Sequence, residues 1–273
     1  MTSDPKKIES EVEGEREDSD ELKNDLIFLE SAVEPFVRIL ESWERTFDYR
    51  QNLFKEPSFE IDKIFNKFPC SKMPYALELF EADFNRIYPE KIDIVHSEGP
   101  KICRAIIKES EERKVSPFKE DIEDTNKKAL FLLPYMFSPV TIKKGKSNSG
   151  IYRPTRKEVQ ESFFVQAENF EEIEDLISKR SKLLDPLEIP IQPFMAEVGN
   201  HFFIYFYGMQ YKLDSSLRSL ELLYKIYHSL NLEYPAESKH VWQVIQDAIF
   251  KMPISGKSSN VVTFLNDLKV HTV

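Results

Sequence analysis

Apolar positions recur every three or four residues through the first half of the chain. Between residues 25 and 53 this spacing predicts amphipathic helix, and Pro35 predicts a break within it. Shorter stretches with the same period follow as far as residue 137, separated by Pro69 and Pro89. The pattern therefore predicts a mostly helical region over residues 25–142.

Residues 158–254 follow a different pattern, in which strands and helices are interspersed. A helix is predicted after Asn169, another from Asp214 and a third over Ser238–Met252. Gly199-Asn200 is a turn pair between two apolar runs, which predicts an antiparallel meander. The predicted strands are Ile189–Val198, His201–Tyr207 and Met209–Leu213. The predicted fold class is α+β: a mostly helical N-terminal half, then a small antiparallel sheet flanked by helices.

The middle predicted strand is apolar or aromatic on both faces from Phe202 to Tyr207. A strand with one face in water alternates with polar residues, so both faces of this strand are expected to be covered. We favour a central strand that is packed by helices on both sides. The alternative is an aromatic face that receives a partner peptide or a second copy of the chain.

Both ends of the chain are polar. Residues 1–21 hold nine acidic and three basic residues, so 1–24 are predicted to form a disordered acidic tail. Residues 255–273 are predicted to form a C-terminal tail. The net charge of −10 over 273 residues argues against a surface devoted to coating nucleic acid or anionic lipid. Because no apolar run is long enough to span a bilayer and no signal-peptide pattern is present, we expect an intracellular protein, nuclear or cytoplasmic, without a membrane partner.

The strongest positive field in the chain lies at residues 143–157. This segment contains glycine, serine and proline but no acidic residue, which is typical of an exposed linker or loop between two units. Its cations are candidates for non-specific contact with nucleic-acid phosphates, with Tyr152 stacking on a base. The other interpretations are contact with an acidic protein partner or with the acidic tail, and simple solvation. The candidate contact residues are Lys143, Lys144, Lys146, Arg153, Arg156 and Lys157.

Catalytic and metal-binding patterns are incomplete. Gly-Lys-Ser occurs at 145–147 and 256–258, but each lacks the earlier glycine of a phosphate-binding loop. Cys70, His96 and Cys103 are isolated rather than paired at zinc-ligand spacing. The acidic residues of the second half lack the nearby lysine of a restriction-nuclease-like core; this set is Glu172, Glu174, Asp175, Glu197 and Asp214. We therefore expect no enzyme activity, no cofactor and no metal site.

Several short motifs follow one another in a set order between about Leu77 and Met252. They are Leu79-Phe80-Glu81-Ala82-Asp83-Phe84 with Tyr88-Pro89, Glu161-Ser162-Phe163, Ile191-Gln192-Pro193-Phe194 with Val198-Gly199, Met209-Gln210-Tyr211-Lys212-Leu213, and Tyr234-Pro235-Ala236-Glu237-Ser238 with Val241-Trp242. In this order and spacing the chain resembles the C-terminal region of sterile alpha motif domain-containing protein 3-like animal proteins. In that family the region often follows a sterile alpha motif or a zinc-binding DNA-recognition domain, and many copies are associated with mobile elements. The family supplies no catalytic residues.

These observations favour a non-catalytic intracellular interaction module with a protein partner, and the resemblance implies derivation from a mobile element. The alternative is a nucleic-acid-associated protein that binds through residues 143–157 without sequence specificity. An inactive remnant of a nucleic-acid-processing element is a further form of that alternative.

Overall fold

The computed structural model describes residues 20–118, 122–143, 150–254 and 256–272. The chain divides into two compact units: the first runs to Ile87 and includes His228–Asn231, and the second holds Tyr88–Tyr227 and the chain from Leu232 onward. The sequence predicted a linker between two units at residues 143–157, whereas Ile142–Lys143 pair with Ile151–Tyr152 as two short strands of the second unit. No helix within the described ranges has the length and apolar character needed to cross a membrane.

Helices make up the described part of the first unit. The predicted break at Pro35 is confirmed, because one helix ends at residue 29 and the next begins directly after this proline. Trp43 is fully buried and packs edge-on against Phe68 and Phe80, with ring centroids 5.7 and 6.2 Å away. The helices are α1 (20–29), α2 (Phe36–Arg45), α3 (Phe47–Lys55), α4 (Ile64–Lys67) and α5 (Ala76–Ile87).

The second unit combines helices with two small sheets. Its helices are α6 (Ile94–Glu112), α7 (Thr125–Leu132), α8 (Arg156–Phe163), α9 (Phe170–Leu184), α10 (Ser216–Ser229, whose last two residues belong to the first unit), α11 (Lys239–Val244) and α12 (Ser259–Thr272). A π-helical turn, Ile245–Ile249, continues α11. Its strands are β1 (Ile142–Lys143), β2 (Ile151–Tyr152), β3 (Phe164–Ala167), β4 (Phe194–Val198), β5 (His201–Phe206) and β6 (Met209–Leu213).

The larger sheet has the strand order β3-β4-β5-β6. The predicted antiparallel meander is confirmed: Val198 pairs with His201 across the turn at Gly199, and Phe202 pairs with Leu213. β3 joins β4 in parallel, so the sheet is mixed rather than wholly antiparallel. A parallel pair needs a crossover connection, and α9 supplies it between β3 and β4. The predicted α+β class is confirmed.

Helices cover both faces of this sheet. On one face, Ile173 of α9 packs against Val165, Phe194 and Tyr205. On the other, Phe131 of α7 stacks on Phe164, with ring centroids 4.3 Å apart. β5 is an interior strand, as its two apolar faces predicted. Burial of both faces explains why these strands lack a clean alternation of polar and apolar residues.

The two predicted tails contain helix. Residues 1–19 of the acidic tail lie outside the described residues, whereas 20–24 belong to α1. That helix is held by Asp25, whose carboxylate accepts a hydrogen bond from Arg45 Nε at 2.5 Å. In the C-terminal segment, Ser259–Thr272 form α12 because Val261, Phe264 and Leu268 recur at helical spacing and are buried.

Candidate interaction site: the basic hairpin and the groove beside it

The described ends of the basic segment form a two-stranded antiparallel hairpin. Ile142 lies opposite Tyr152, and Lys143 lies opposite Ile151. Successive side chains of a strand point to opposite faces, so one pair is buried and the other faces water. Ile142 and Tyr152 pack against Leu184 and nearby apolar residues. Lys143 is exposed, and Ile151 keeps 46% of its surface in solvent.

The predicted contact residues divide into two groups. Lys143, Arg153, Arg156 and Lys157 are all exposed on the hairpin and on the first turn of α8. Lys157 lies 3.4 Å from Glu161 of the same helix, an exposed pair that contributes little to stability. Lys144 and Lys146 lie outside the described residues. We call the four described cations together with Ile151 the basic hairpin surface.

Tyr152 is not available to stack on a base. Its side chain is buried, with 7% of its surface exposed, in the cluster beneath the hairpin. Burial, followed by the nearby charges of Glu158 and Glu237, raises the pKa of the Tyr152 phenol well above its usual range. The sequence interpretation of Tyr152 as a nucleic-acid platform is therefore wrong. Strand alternation sends its ring inward and leaves Ile151 outside.

The start of α8 is fixed by a capping box. The Thr155 hydroxyl accepts a hydrogen bond from the backbone N–H of Glu158 at 3.2 Å, and the Glu158 carboxylate accepts one from the Thr155 N–H at 2.6 Å. Arg156 and Lys157 occupy the two positions in between. Cations in the first turn oppose the helix dipole, typically at a cost of about 0.3–1 kcal/mol each. Helix stability therefore does not account for these two residues.

A groove of about 240 Å³ adjoins the basic hairpin surface. Lys157 and Glu161 of α8 line one side, Glu172, Asp175, Leu176 and Lys179 of α9 line the other, and Val165, Gln166 and Ala167 of β3 also line it. Lys157 belongs to both features, so the groove and the hairpin form one continuous surface. We call this feature the β3 groove.

The outer edge of β3 presents main-chain groups to the β3 groove. The Ala167 carbonyl accepts a hydrogen bond from Gly199 N–H at 3.0 Å, on the β4 side. Main-chain groups of consecutive strand residues point alternately to either side, so the N–H and C=O of Gln166 point away from β4. Within the described chain, no group bonds to them on that outer side.

The neighbours of Gln166 are capped on the same edge. The Phe164 carbonyl accepts a hydrogen bond from the Gln160 side chain at 2.5 Å. The Glu168 N–H donates to the Glu172 carboxylate at 3.1 Å. The open edge of β3 is therefore one residue long, with one donor and one acceptor that suit a single residue of an extended peptide.

The charged side chains around the groove are of two kinds. Glu197 is buried on β4 and accepts hydrogen bonds from Lys127 Nζ at 2.6 Å and from Gln166 Nε2 at 3.1 Å. That arrangement neutralises Glu197 and fixes the Gln166 side chain. Asp175 and Lys179, by contrast, are exposed at the groove wall. Both are exposed charged side chains of the α9 wall that a ligand in the groove can meet.

The acidic residues considered for a nuclease centre do not converge. Glu197 pairs with Lys127, and Glu174 accepts a hydrogen bond from the Tyr205 hydroxyl at 2.9 Å.

The thiols of Cys70 and Cys103 are buried, and burial raises the pKa of the first to about 11 and of the second to about 12. Both cysteines therefore behave as apolar core residues.

The structure adds one feature that the sequence reasoning missed, the β3 groove. Its walls come from α8 and α9, and β3, which is not among the strands that the sequence analysis named, also lines it. No spacing rule predicts which edge of a sheet stays open.

No protein-family model, curated protein or solved structure matches this chain.

Proposed function

We propose that this protein is a non-catalytic interaction module that binds an extended peptide segment of a protein partner in the β3 groove. The observation that carries the proposal is the outward-pointing N–H and C=O of Gln166 at the edge of β3. A peptide strand placed beside β3 satisfies both groups, because paired residues of antiparallel strands exchange two hydrogen bonds. In an antiparallel arrangement one peptide residue makes both bonds, and neither bond requires a particular side chain.

The surrounding side chains supply selectivity. Leu176 and Ala167 offer apolar contact within the groove, and Asp175 and Lys179 offer opposite charges on its α9 wall. On the α8 side the groove continues into the basic hairpin surface. A partner whose peptide is apolar at its centre and acidic toward the hairpin matches this distribution. The exposed Ile151 among the cations favours a protein surface over bare phosphates, because phosphates gain nothing from an apolar neighbour.

Selection of peptides from a random displayed library against the full chain tests the proposal. Peptides that bind are measured against a variant with the groove charges exchanged, Asp175→Lys with Lys179→Glu, which keeps the net charge. The matched control exchanges two exposed α9 residues that do not line the groove, Glu171→Lys with Lys182→Glu. We expect the groove variant to bind about tenfold or more weakly and the control to match wild type. Equal affinity for all three proteins would contradict the proposal.

The cellular setting and the origin of the protein belong to the same proposal. An intracellular role, nuclear or cytoplasmic, accords with the free buried thiols of Cys70 and Cys103. Derivation from a mobile element rests on the resemblance of the motifs between Leu77 and Met252. Expression of the full chain in animal cells, followed by fractionation, tests the first point; secretion of the protein would contradict it.

A second candidate function is non-specific nucleic-acid contact through the basic hairpin surface. The observation that favours it is the clustering of Lys143, Arg153, Arg156 and Lys157, all exposed. The burial of Tyr152 removes the aromatic stacking partner that single-stranded binding commonly uses. Phosphate contact alone is left, and it makes a salt-dependent affinity the distinguishing property of this candidate.

A further inference from the structure

Three side chains with metal-ligand chemistry meet where α12 packs against α6. They are Glu109 and Glu112 of α6 and His271 of α12, and one ligand atom from each lies within 4.8 Å of the others. His271 Nε2 lies 2.9 Å from Glu109 Oε2 and 3.7 Å from Glu112 Oε1. Within the described ranges this is the one group of histidine, cysteine and carboxylate side chains that converges so closely.

We propose that Glu109, Glu112 and His271 form a binding site for a divalent transition-metal ion, with Zn²⁺ as the best match. Zn²⁺ takes histidine nitrogen and carboxylate oxygen at about 2.0–2.2 Å in a tetrahedron, which places neighbouring ligand atoms about 3.4 Å apart. The observed separations bracket that value. The mixture of imidazole and carboxylate suits Zn²⁺ better than Mg²⁺ or Ca²⁺, which prefer ligands that are all oxygen.

The surroundings hold Glu109 in a ligating position. Its other oxygen, Oε1, accepts a hydrogen bond from Arg113 Nε, and Arg113 also bonds Asp267 at 2.5 Å. Hydrogen-bonded partners of this kind orient ligating carboxylates in metal sites. With a neutral histidine, the carboxylates of Glu109, Glu112 and Asp267 and the guanidinium of Arg113 together carry a net charge of −2. A divalent cation neutralises this charge.

Burial and access are both suitable. The side chains of Glu109 and His271 are only 7% and 10% exposed, whereas Glu112 is 68% exposed. The ion would therefore enter from the solvent side, where Glu112 lies, and would bind the two shielded ligands behind it. Three protein ligands leave a fourth position for water, and the bound ion would join the C-terminal helix to α6. This inference is independent of the peptide-binding proposal.

Titration of the full chain with ZnCl₂ tests the site, with MgCl₂ as the comparison ion and Co²⁺ absorption as a report on tetrahedral geometry. Glu112→Gln removes one ligand from an exposed position, so folding is not at risk, and His271→Gln removes a second. Glu111→Gln, an exposed α6 residue outside the cluster, is the matched control. We expect the wild-type chain to bind Zn²⁺ but not Mg²⁺. The Zn²⁺ affinity should be about tenfold or more weaker in both ligand variants and unchanged in the control.

Failure of the wild-type chain to bind Zn²⁺ would overturn the proposal. So would equal Zn²⁺ affinity in wild type and Glu112→Gln, because a site elsewhere would then account for the binding. Loss of stability in His271→Gln without any change in Zn²⁺ affinity would show that the histidine serves only as a hydrogen-bond partner of Glu109.

Discussion

Arg180 donates two hydrogen bonds to one oxygen of Glu237, from Nε at 3.2 Å and from Nη2 at 2.9 Å, and both side chains are buried. Glu237 belongs to the motif Tyr234-Pro235-Ala236-Glu237-Ser238. Another motif shows the same arrangement, since Asp83 accepts a hydrogen bond from buried Arg50 at 2.6 Å. In each of these two motifs, an acidic residue is therefore the partner of a buried arginine.

Breaking the Arg180–Glu237 pair is expected to destabilise the second unit strongly. Glu237→Ala leaves a guanidinium buried without its counter-charge, which typically costs about 3–5 kcal/mol. Urea denaturation followed by tryptophan fluorescence measures the loss, with Trp242 as the tryptophan of the second unit. Glu233→Ala, at an exposed position in the same stretch of chain, is the control and should change stability by less than about 0.5 kcal/mol. A loss of similar size in both variants would contradict the assignment.

Stability is expected to fall as the pH decreases from neutral toward about 4. Burial lowers the pKa of His240 and of His228 to about 4. In the unfolded chain these imidazoles gain protons near pH 6.5, so the unfolded state binds more protons between the two values. The contribution of each buried neutral imidazole to the free energy of unfolding is therefore complete above about pH 6.5 and is lost toward pH 4. It amounts to roughly 3 kcal/mol for each histidine.

The variant His240→Gln tests the contribution of one histidine. It removes the titrating group from a buried site beside Phe137, so the decrease in unfolding free energy between neutral pH and acid should become smaller. His201→Gln, at an exposed position on β5, should leave the full pH dependence. An unchanged slope in His240→Gln would show that this imidazole takes up its proton at the same pH in the folded and unfolded states.

The packing of α12 gives a prediction for the C-terminal segment. Leu268 is buried, and Leu268→Ala is expected to lower the free energy of unfolding by about 2–5 kcal/mol. Val270 on the same helix is 73% exposed, so Val270→Ala should have an effect below about 0.5 kcal/mol. Thermal denaturation of the two variants distinguishes an integrated helix from a tail, for which both substitutions would be neutral.

Nucleic-acid binding by the basic hairpin surface, if present, must weaken steeply with salt. The log-log slope against salt scales at about 0.9 per duplex phosphate neutralised. Replacing Lys143, Arg153 and Arg156 by alanine should reduce both the affinity and the slope while leaving stability nearly unchanged, because these side chains are exposed. Binding to labelled duplex across a salt series measures both quantities. Absence of binding at low salt would leave peptide binding as the function to pursue.

The acidic segment provides a separate comparison. If residues 1–21 compete for the basic hairpin surface, their deletion should strengthen nucleic-acid binding, since a polyanion has been removed. The same salt series on the shortened chain measures this effect. Identical affinities with and without the segment would contradict competition.

Local spacing in the sequence determined most of the helices and the three strands of the meander. The period of about 3.6 in the first half, the proline breaks and the Gly199-Asn200 turn correctly predicted the helices, the break at Pro35 and the meander. These features depend on residues close together in the chain. The inward direction of Tyr152 also follows from alternation, once Ile142 is known to be its partner.

Tertiary structure alone decided the rest, because the deciding contacts join residues far apart in sequence. β3 pairs in parallel with β4 across the whole of α9, so neither the mixed sheet nor its open edge at Gln166 follows from a local pattern. The apolar residues of α12 recur at helical spacing, but a single short helix is stable only when its apolar face packs, as it does here in the second unit. His271 reaches Glu109 across 162 positions, and no ligand spacing predicts such a pair. Burial on folding, rather than propensity, places these groups together.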